Sequence, residues 1–468
     1  MGYLMIEALS KRLRHAVIHT KDTLHSDTLR GKIFRNVGWM GVGYSAELVL
    51  RFISTLILTR ILDPSAYGLI TTVMVFLTFA AMLSDLGLRP IMLTDSRGDD
   101  KNFLGILWTI QILRGFALAV IMAVTALIWQ YWQAKGWINS TNNYADPLLP
   151  QLLLLMGFSL AVTGFNSLNE FRAIRHLEAD RISRLDIASR ILGTMITIVL
   201  VVIFRSVWGM AIAIMANAAL RVVLTHRYLP GPSMAFDINW PEIRKVLSTS
   251  RWIALNSALV VIAAQADKVL IGYHFGVEIL GIYAIALTLF TSASALVNRV
   301  NMSMGIPVLR ELGDRSVEDQ RRAYYKFRLP IDLYCLTVGC GMVLLGPIFF
   351  KIAYDSRYET GGLFLAYLGI KIILMPLLLY GNFLMTKLRF KMTSLISLFR
   401  SAIFLSAMGV AMWFNSIEAM VLCIALDRLP EILLYIFYRR AGVRLDGRRD
   451  GILLLAATVA TFYIILMY

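Results

Sequence analysis

The sequence predicts an all-α polytopic membrane protein with thirteen spanning helices. Three observations predict it. Long apolar stretches recur along nearly the whole chain, and about 18 consecutive apolar residues suffice to cross a bilayer as a helix. The composition is 58% hydrophobic and 16% charged, with a mean hydropathy of +0.66; soluble domains sit near 45–50% and 25%. Finally, lysine and arginine alternate between the gaps. The first 35 residues and every second gap hold 32 of the 46 cations, the intervening gaps hold 5, and 9 fall inside apolar stretches. By the positive-inside rule this predicts a bacterial inner-membrane protein with a cytoplasmic N-terminus.

In order, the expected spans are 36–59, 67–88, 104–131, 149–171, 185–204, 207–224, 252–273, 280–301, 329–350, 361–386, 393–414, 417–438 and 451–468. The first follows the 7 cations of the N-terminal segment, and Arg60 alone separates it from the second. Cation-rich gaps then follow spans 2, 4, 6, 8, 10 and 12, holding 3, 4, 4, 6, 3 and 5. Lys135 and Arg205 follow spans 3 and 5, Lys351 and Arg357 follow span 9, and the gaps after spans 7 and 11 hold none. Thirteen crossings place the C-terminus outside, with the short last span the most weakly anchored.

The chain divides into a basic cytoplasmic segment 1–35, a first half 36–226 with helices 1–6, and a polar linker 227–251 containing Pro230, Gly231, Pro232 and Pro241. A second half 252–438 carries helices 7–12, and 439–468 is a basic loop with helix 13. Residues 1–35 lack the apolar core of a signal peptide and read as a surface-lying helix or a basic tail. Val317 to Phe327 reads as an amphipathic surface helix. The sparse-side gaps leave no room for an extracytoplasmic domain.

The net charge of +16 does not imply nucleic acid, because it is spread over short loops where topology and anionic lipid headgroups account for it. Cys335, Cys340 and Cys423 lie in apolar stretches at spacings that suit neither a metal nor a disulfide framework. No cofactor is expected.

A repeat emerges between spans 1–2 and 7–8. Leu58 to Gly68 (LTRILDPSAYG) and Ile271 to Gly281 (IGYHFGVEILG) lie 213 residues apart. Each is a helix end, a very short turn and a glycine opening the next helix. Pro64 pre-sets the backbone of a helix start, and Gly68 and Gly281 permit close helix approach. Duplicated halves or two unrelated hairpins both produce such a pattern.

The segment Leu58 to Leu88 (LTRILDPSAYGLITTVMVFLTFAAMLSDLGL) resembles the opening signature of polysaccharide exporters and oligosaccharide flippases. Asp267 to Ala286 (DKVLIGYHFGVEILGIYAIA) is similar to its counterpart in their second half, and Ala353 to Ile370 (AYDSRYETGGLFLAYLGI) to their ninth-to-tenth helix junction. The resemblance runs from about residue 30 to 440 and belongs to the superfamily that includes multidrug antiporters. It implies two pseudo-symmetric six-helix bundles in a V around a central cavity. It implies an alternating-access flippase moving an undecaprenyl-diphosphate-linked oligosaccharide from inner to outer leaflet for surface polysaccharide biosynthesis. Anionic lipids and other polysaccharide assembly proteins are the expected partners. Members carry twelve or fourteen helices, so a count of thirteen is a departure.

A lipid diphosphate needs fixed donors and positive charge in place of its water, which arginine supplies as a planar fork. The span-embedded cations are Arg51, Arg114, Arg190, Arg221, Lys268, Arg299, Lys371, Arg400 and Arg428. Arg190, Arg221 and Arg299 lie near cytoplasmic ends and can snorkel. An isolated charge at mid-depth costs about 2.5–3.5 kcal/mol, so the others face a partner or a wet cavity. Glu47 pairs by spacing with Arg51, Asp186 with Arg190, and Asp427, Arg428 and Glu431 cluster beside Pro430. Arg114, Lys371 and Arg400 have no acid on their own helix. The expected cargo set is Arg114, Lys371, Arg400, Arg51, Arg428 and Lys268. Glu47, Asp267 and Asp85 are the acids suited to coupling an H⁺ or Na⁺ gradient. Pro376 and Pro430 are candidate bends, and Tyr44, Trp108, Tyr283, Tyr334 and Tyr380 candidate cavity aromatics.

Two rivals remain at this level. A multidrug or cation antiporter of the same fold favours acids in its cavity, and the spans enclose nine acids against nine cations. A membrane-embedded polysaccharide polymerase or ligase needs a sizeable outside loop, which the gaps lack. No phosphate loop, nucleophile elbow or metal-spaced histidine set accompanies it.

Overall fold

The computed structural model describes residues 48–84, 88–138, 145–176, 178–301, 317–379, 390–430 and 447–467. Among these there is no strand. Helix α1 covers 48–61, followed by α2 (Pro64–Leu83), α3 (Leu88–Thr94), α4 (Lys101–Ala134), α5 (Leu148–Gly164), α6 (Asn169–Arg175), α7 (Ala179–Phe204) and α8 (Val207–Tyr228). Then come α9 (Trp240–Phe275), α10 (Val277–Val300), α11 (Val317–Ala353), α12 (Gly361–Leu374), α13 (Phe390–Trp413), α14 (Ile417–Ala425) and α15 (Gly447–Met467). Eight helices among the described residues are long and apolar enough to span, or nine if the bent pair α5–α6 forms one span.

Local chemistry sets the element ends. Pro64 occupies the first turn of α2, where its missing N–H costs nothing. Asp100 caps α4 by accepting from the Asn102 and Phe103 amides. Asn239 caps α9 with Pro241 in its first turn, so this helix begins twelve residues before the apolar stretch that predicted it. Span 4 bends by 56° between Gly164 and Asn169. Span 2 stops at Leu83 rather than Leu88. The expected surface helix Val317 to Phe327 is continuous with span 9 in one 37-residue helix that carries Pro330 inside it.

Helices of the first half pack among themselves, α4 on α5, α7 on α8, and α5 on α8. In the second half α12 is the hub, packed on α10, α11, α14 and α15. All of its residues except Leu363 and Lys371 are buried. The two groups meet where α2 packs against α9 and α10. Leu113, Val120, Ile121, Val124 and Leu127 of α4 and Met195, Val199 and Ile203 of α7 are exposed. Such an apolar exterior fits a hydrocarbon solvent.

The last helix is better anchored than its sequence suggests. Ala457, Ala460 and Ile464 join the core of the second half. Asp450, at its start, lies 2.9 Å from the fully buried Arg328 guanidinium and accepts from the Tyr325 hydroxyl at 3.0 Å.

Candidate functional site

The site grows from the seam between the halves. At the end of the molecule where cations are sparse, a Cβ on Gly68 would overlap the carbonyl oxygen of Val277, and a Cβ on Gly281 would overlap that of Pro64. The four residues are related by the same offset of 213 that relates the sequence repeats. Each glycine therefore seats the other half's helix start, as the reciprocal contacts of a two-fold interface do. Around this seam the Tyr358 hydroxyl donates to the Leu62 carbonyl at 2.8 Å, the Tyr67 and Tyr358 rings meet edge-on at 6.1 Å, and Arg357 bridges Asp63 and Asp355. The Arg357 hydrogen bond holds Asp355 below the usual carboxylate range. Asp63 is exposed, so the ion pair adds little and the glycine packing does most of the closing. Gly281→Leu is expected to wedge the seam open. Overpacking costs about 1–3 kcal/mol, so a thiol crosslinker about as long as the arginine side chain should join Asp63→Cys to Arg357→Cys readily in the parent and about tenfold less in the variant.

Beneath the seam the charges gather. At 1.5 Å per residue, Lys371 lies roughly 15 Å in from Gly361, Arg51 roughly 16 Å in from Leu62, and Asp267 and Lys268 roughly 11 Å in from Phe275. The first two depths fall near the middle of a hydrocarbon layer about 30 Å thick, and the third about a third of the way in. The acid for Lys371 comes from another helix, since Asp427, just past α14, stands 3.2 Å from its ammonium. Asp427 also lies 3.6 Å from Arg428. The Phe290 ring centroid is 5.7 Å from the Lys371 ammonium. Asp267 accepts from the buried Tyr283 hydroxyl at 2.7 Å and stands 3.7 Å from Lys268, which donates to Gln265 at 2.8 Å. Both Asp267 and Asp427 bear electrostatically on Tyr283. One Oδ1 of each acid is buried with no hydrogen-bond partner. The constellation thus holds three cations and two acids drawn from α9, α12 and the α14 end, with Tyr283 of α10 between them.

Arg51 lies apart from this group, its guanidinium 3.4 Å from Ser292, which is nine residues beyond Tyr283 and so on the other side of α10. Arg400 is half-buried on α13, roughly 20 Å in from Trp413. Arg114 sits elsewhere. It donates to the Ala81 carbonyl at 2.7 Å and to Ser84 at 3.0 Å, which lie roughly 30 Å from Pro64 at the basic end. There it satisfies the open carbonyls where α2 stops. Asp186 pairs with Arg221 at 2.6 Å, joined by Glu170 at 2.9 Å, a tie between α6, α7 and α8. Trp108 packs on Phe165, Phe236 and His226, and the Tyr334 hydroxyl donates to the Ala293 carbonyl. Pro376 lies in the 3₁₀ turn that ends α12. Glu47, Asp85, Tyr44, Tyr380 and Glu431 lie outside the described residues.

Sequence reasoning missed Asp427 as the partner of Lys371, because pairing was sought only along one helix. It also missed Gln265, Phe290 and Ser292, whose types carry no functional signal, and the buried Arg328, which read as a loop cation.

The polysaccharide biosynthesis protein family model matches residues 57–361. A membrane protein from the cps region of Klebsiella pneumoniae is 19% identical over 421 residues, 88% of this chain and 83% of its own. The lipopolysaccharide biosynthesis protein WzxC of Escherichia coli (strain K12) is 20% identical over 71% of this chain and 65% of its own. The succinoglycan biosynthesis transport protein ExoT of Rhizobium meliloti (strain 1021) is 21% identical over 68% and 60%. Among solved structures, a multidrug resistance MATE family transporter of the MOP superfamily in its inward-facing conformation aligns with a TM-score of 0.60 at 16% identity, over 84% of this chain and 94% of that one. A MATE transporter in complex with MaL6 aligns at 0.57 and 14%, over 88% and 96%. The shared fold is a transporter fold, the one the resemblance implied. With the family model matching about two thirds of its length, this chain belongs to the polysaccharide biosynthesis protein family, as a multi-pass membrane flippase or exporter of MATE-like architecture.

Proposed function

We propose that the protein carries an undecaprenyl-diphosphate-linked oligosaccharide from the inner to the outer leaflet of the bacterial inner membrane, with its N-terminus cytoplasmic. The observation that carries this reading is the excess of cations at mid-depth beneath a sealed end. Among the described residues, Lys371, Arg428 and Lys268 outnumber Asp267 and Asp427, and Arg51 adds a further charge on α1. A diphosphate entering from the basic end would meet a preorganised positive field, where each interaction is stronger than in water. The sealed end, poor in lysine and arginine, is then the outer one. The names of ExoT and WzxC support a cargo from polysaccharide assembly.

Coupling to an H⁺ or Na⁺ gradient falls to Asp267 and Asp427 in this reading. Each has a buried oxygen that makes no hydrogen bond and only a loose ion pair, which leaves it open to a small coupling cation. The lobes 36–226 and 252–438 would rock about the α2–α10 seam. The test is a knockout strain. Lipid-linked repeat units should accumulate on the cytoplasmic side, and Arg51→Ala and Arg400→Ala should restore surface polysaccharide poorly. Full restoration by both, or no accumulation in the null strain, would reject the reading.

A further inference from the structure

We propose that a cavity between the halves, near the sparsely charged end, binds the phosphate of an anionic membrane lipid. The cavity measures about 610 Å³ and is walled by Phe76 of α2, Trp129 and Trp132 of α4, Trp137 just beyond it, and Lys268 and Tyr273 of α9. Phe76 and Trp129 meet edge-on at 5.6 Å, and Trp129 and Trp132 stand 5.8 Å apart, so the wall is a continuous aromatic sheet. Trp137 and Tyr273 are 69% and 51% exposed, which places the entrance at the surface. Tryptophan and tyrosine gather at the depth where headgroups meet hydrocarbon.

Lys268 is the single ionised side chain among the described lining residues. Its ammonium carries three donors. It makes one hydrogen bond, to Gln265, while Asp267 is drawn toward Tyr283 and stays 3.7 Å away. The ammonium therefore keeps donors for an anion. Apart from Lys268 and Thr72 the lining is apolar or aromatic. A sugar ring needs several convergent polar groups, and this wall does not provide them. A phosphate on Lys268 with its chain along Phe76 and Trp129 satisfies both halves of the cavity. Because α2 and α4 come from one half and α9 from the other, the occupant binds only while these helices are together. Its free energy then favours the arrangement closed at this end.

The site shares Lys268 with the proposed cargo field, so its test reads lipid retention and not transport. Delipidated protein is exposed to phosphatidylglycerol, polyprenyl phosphate, phosphatidylcholine or inorganic phosphate, and retention is read by native mass spectrometry. Lys268→Gln and Val75→Trp, which fills the cavity, should each lower retention of both anionic lipids about tenfold, a loss of about 1.4 kcal/mol. Lys268→Arg should keep it, and phosphatidylcholine should be unaffected. Preference for polyprenyl phosphate would identify the carrier lipid as the source, and equal retention the bulk anionic lipids; either supports the site. Unchanged retention in both Lys268→Gln and Val75→Trp would overturn it. So would displacement of the lipids by equimolar inorganic phosphate, since the aromatic wall would then contribute nothing. Failure of the transport reading shows separately, as a null strain without accumulated intermediates while lipid retention still tracks Lys268.

Discussion

Arg328→Met is expected to lower the unfolding free energy in detergent by about 3–5 kcal/mol, the cost of breaking a buried ion pair from one side. Arg328 has no exposed surface. Its Nε donates to Asp332 at 2.7 Å, its second amine group lies 2.9 Å from Asp450, and its guanidinium sits 5.4 Å from the Tyr325 ring centroid. Removing it leaves two carboxylates in a low-dielectric interior. Asp450 opens α15, so that helix should loosen first, seen as accelerated proteolysis after residue 430. The triple variant Arg328→Met, Asp332→Asn, Asp450→Asn should recover most of the loss, because exchanging a whole buried ionic group for neutral residues is often close to neutral. A single variant that melts with the parent would show that water reaches the cluster.

Lys371→Met should abolish transport and also lower stability, by about 2–3 kcal/mol once the one-fifth exposure of the pair is discounted. Asp427→Leu should do the same to stability or more, because it takes the acid from Lys371 and Arg428 together. The double variant is the informative one. If the pair only holds α12 to the α14 end, Lys371→Met with Asp427→Leu restores both fold and surface polysaccharide. The reading advanced above expects the fold restored and transport still impaired, since the cargo has lost one of its cations and the coupling ion one of its two carboxylates. A coupling energy of about 0.5–3 kcal/mol between the two substitutions, read from denaturation of all four proteins, checks that the contact exists.

Much of this was visible before any coordinates. The alternation of cation-rich and cation-poor gaps follows from the cost of moving charge across a bilayer, a property of each loop alone. The spans around residues 101–134 and 207–228 therefore fall close to where hydropathy puts them. Where the expectation slipped, the cause was local. The charged segment Val317 to Phe327 was read as a surface helix apart from span 9, but the backbone runs on through Pro330 as one helix. Leu88 was read as the end of span 2, but α2 stops five residues earlier, where Arg114 takes up the Ala81 carbonyl and the Ser84 hydroxyl.

The candidate site divides the same way. Residue type and depth singled out Lys371, Arg51 and Lys268, because a lone charge in an apolar run is costly whatever surrounds it. What each charge is for depended on helices brought together from distant parts of the chain. Tertiary packing alone paired Lys371 with Asp427, turned Arg114 into a helix cap, and placed Lys268 beside three tryptophans. The repeat spacing marked Gly68 and Gly281 as equivalent. Only the folded chain pressed them together, because a backbone can approach another backbone that closely only where both lack a side chain.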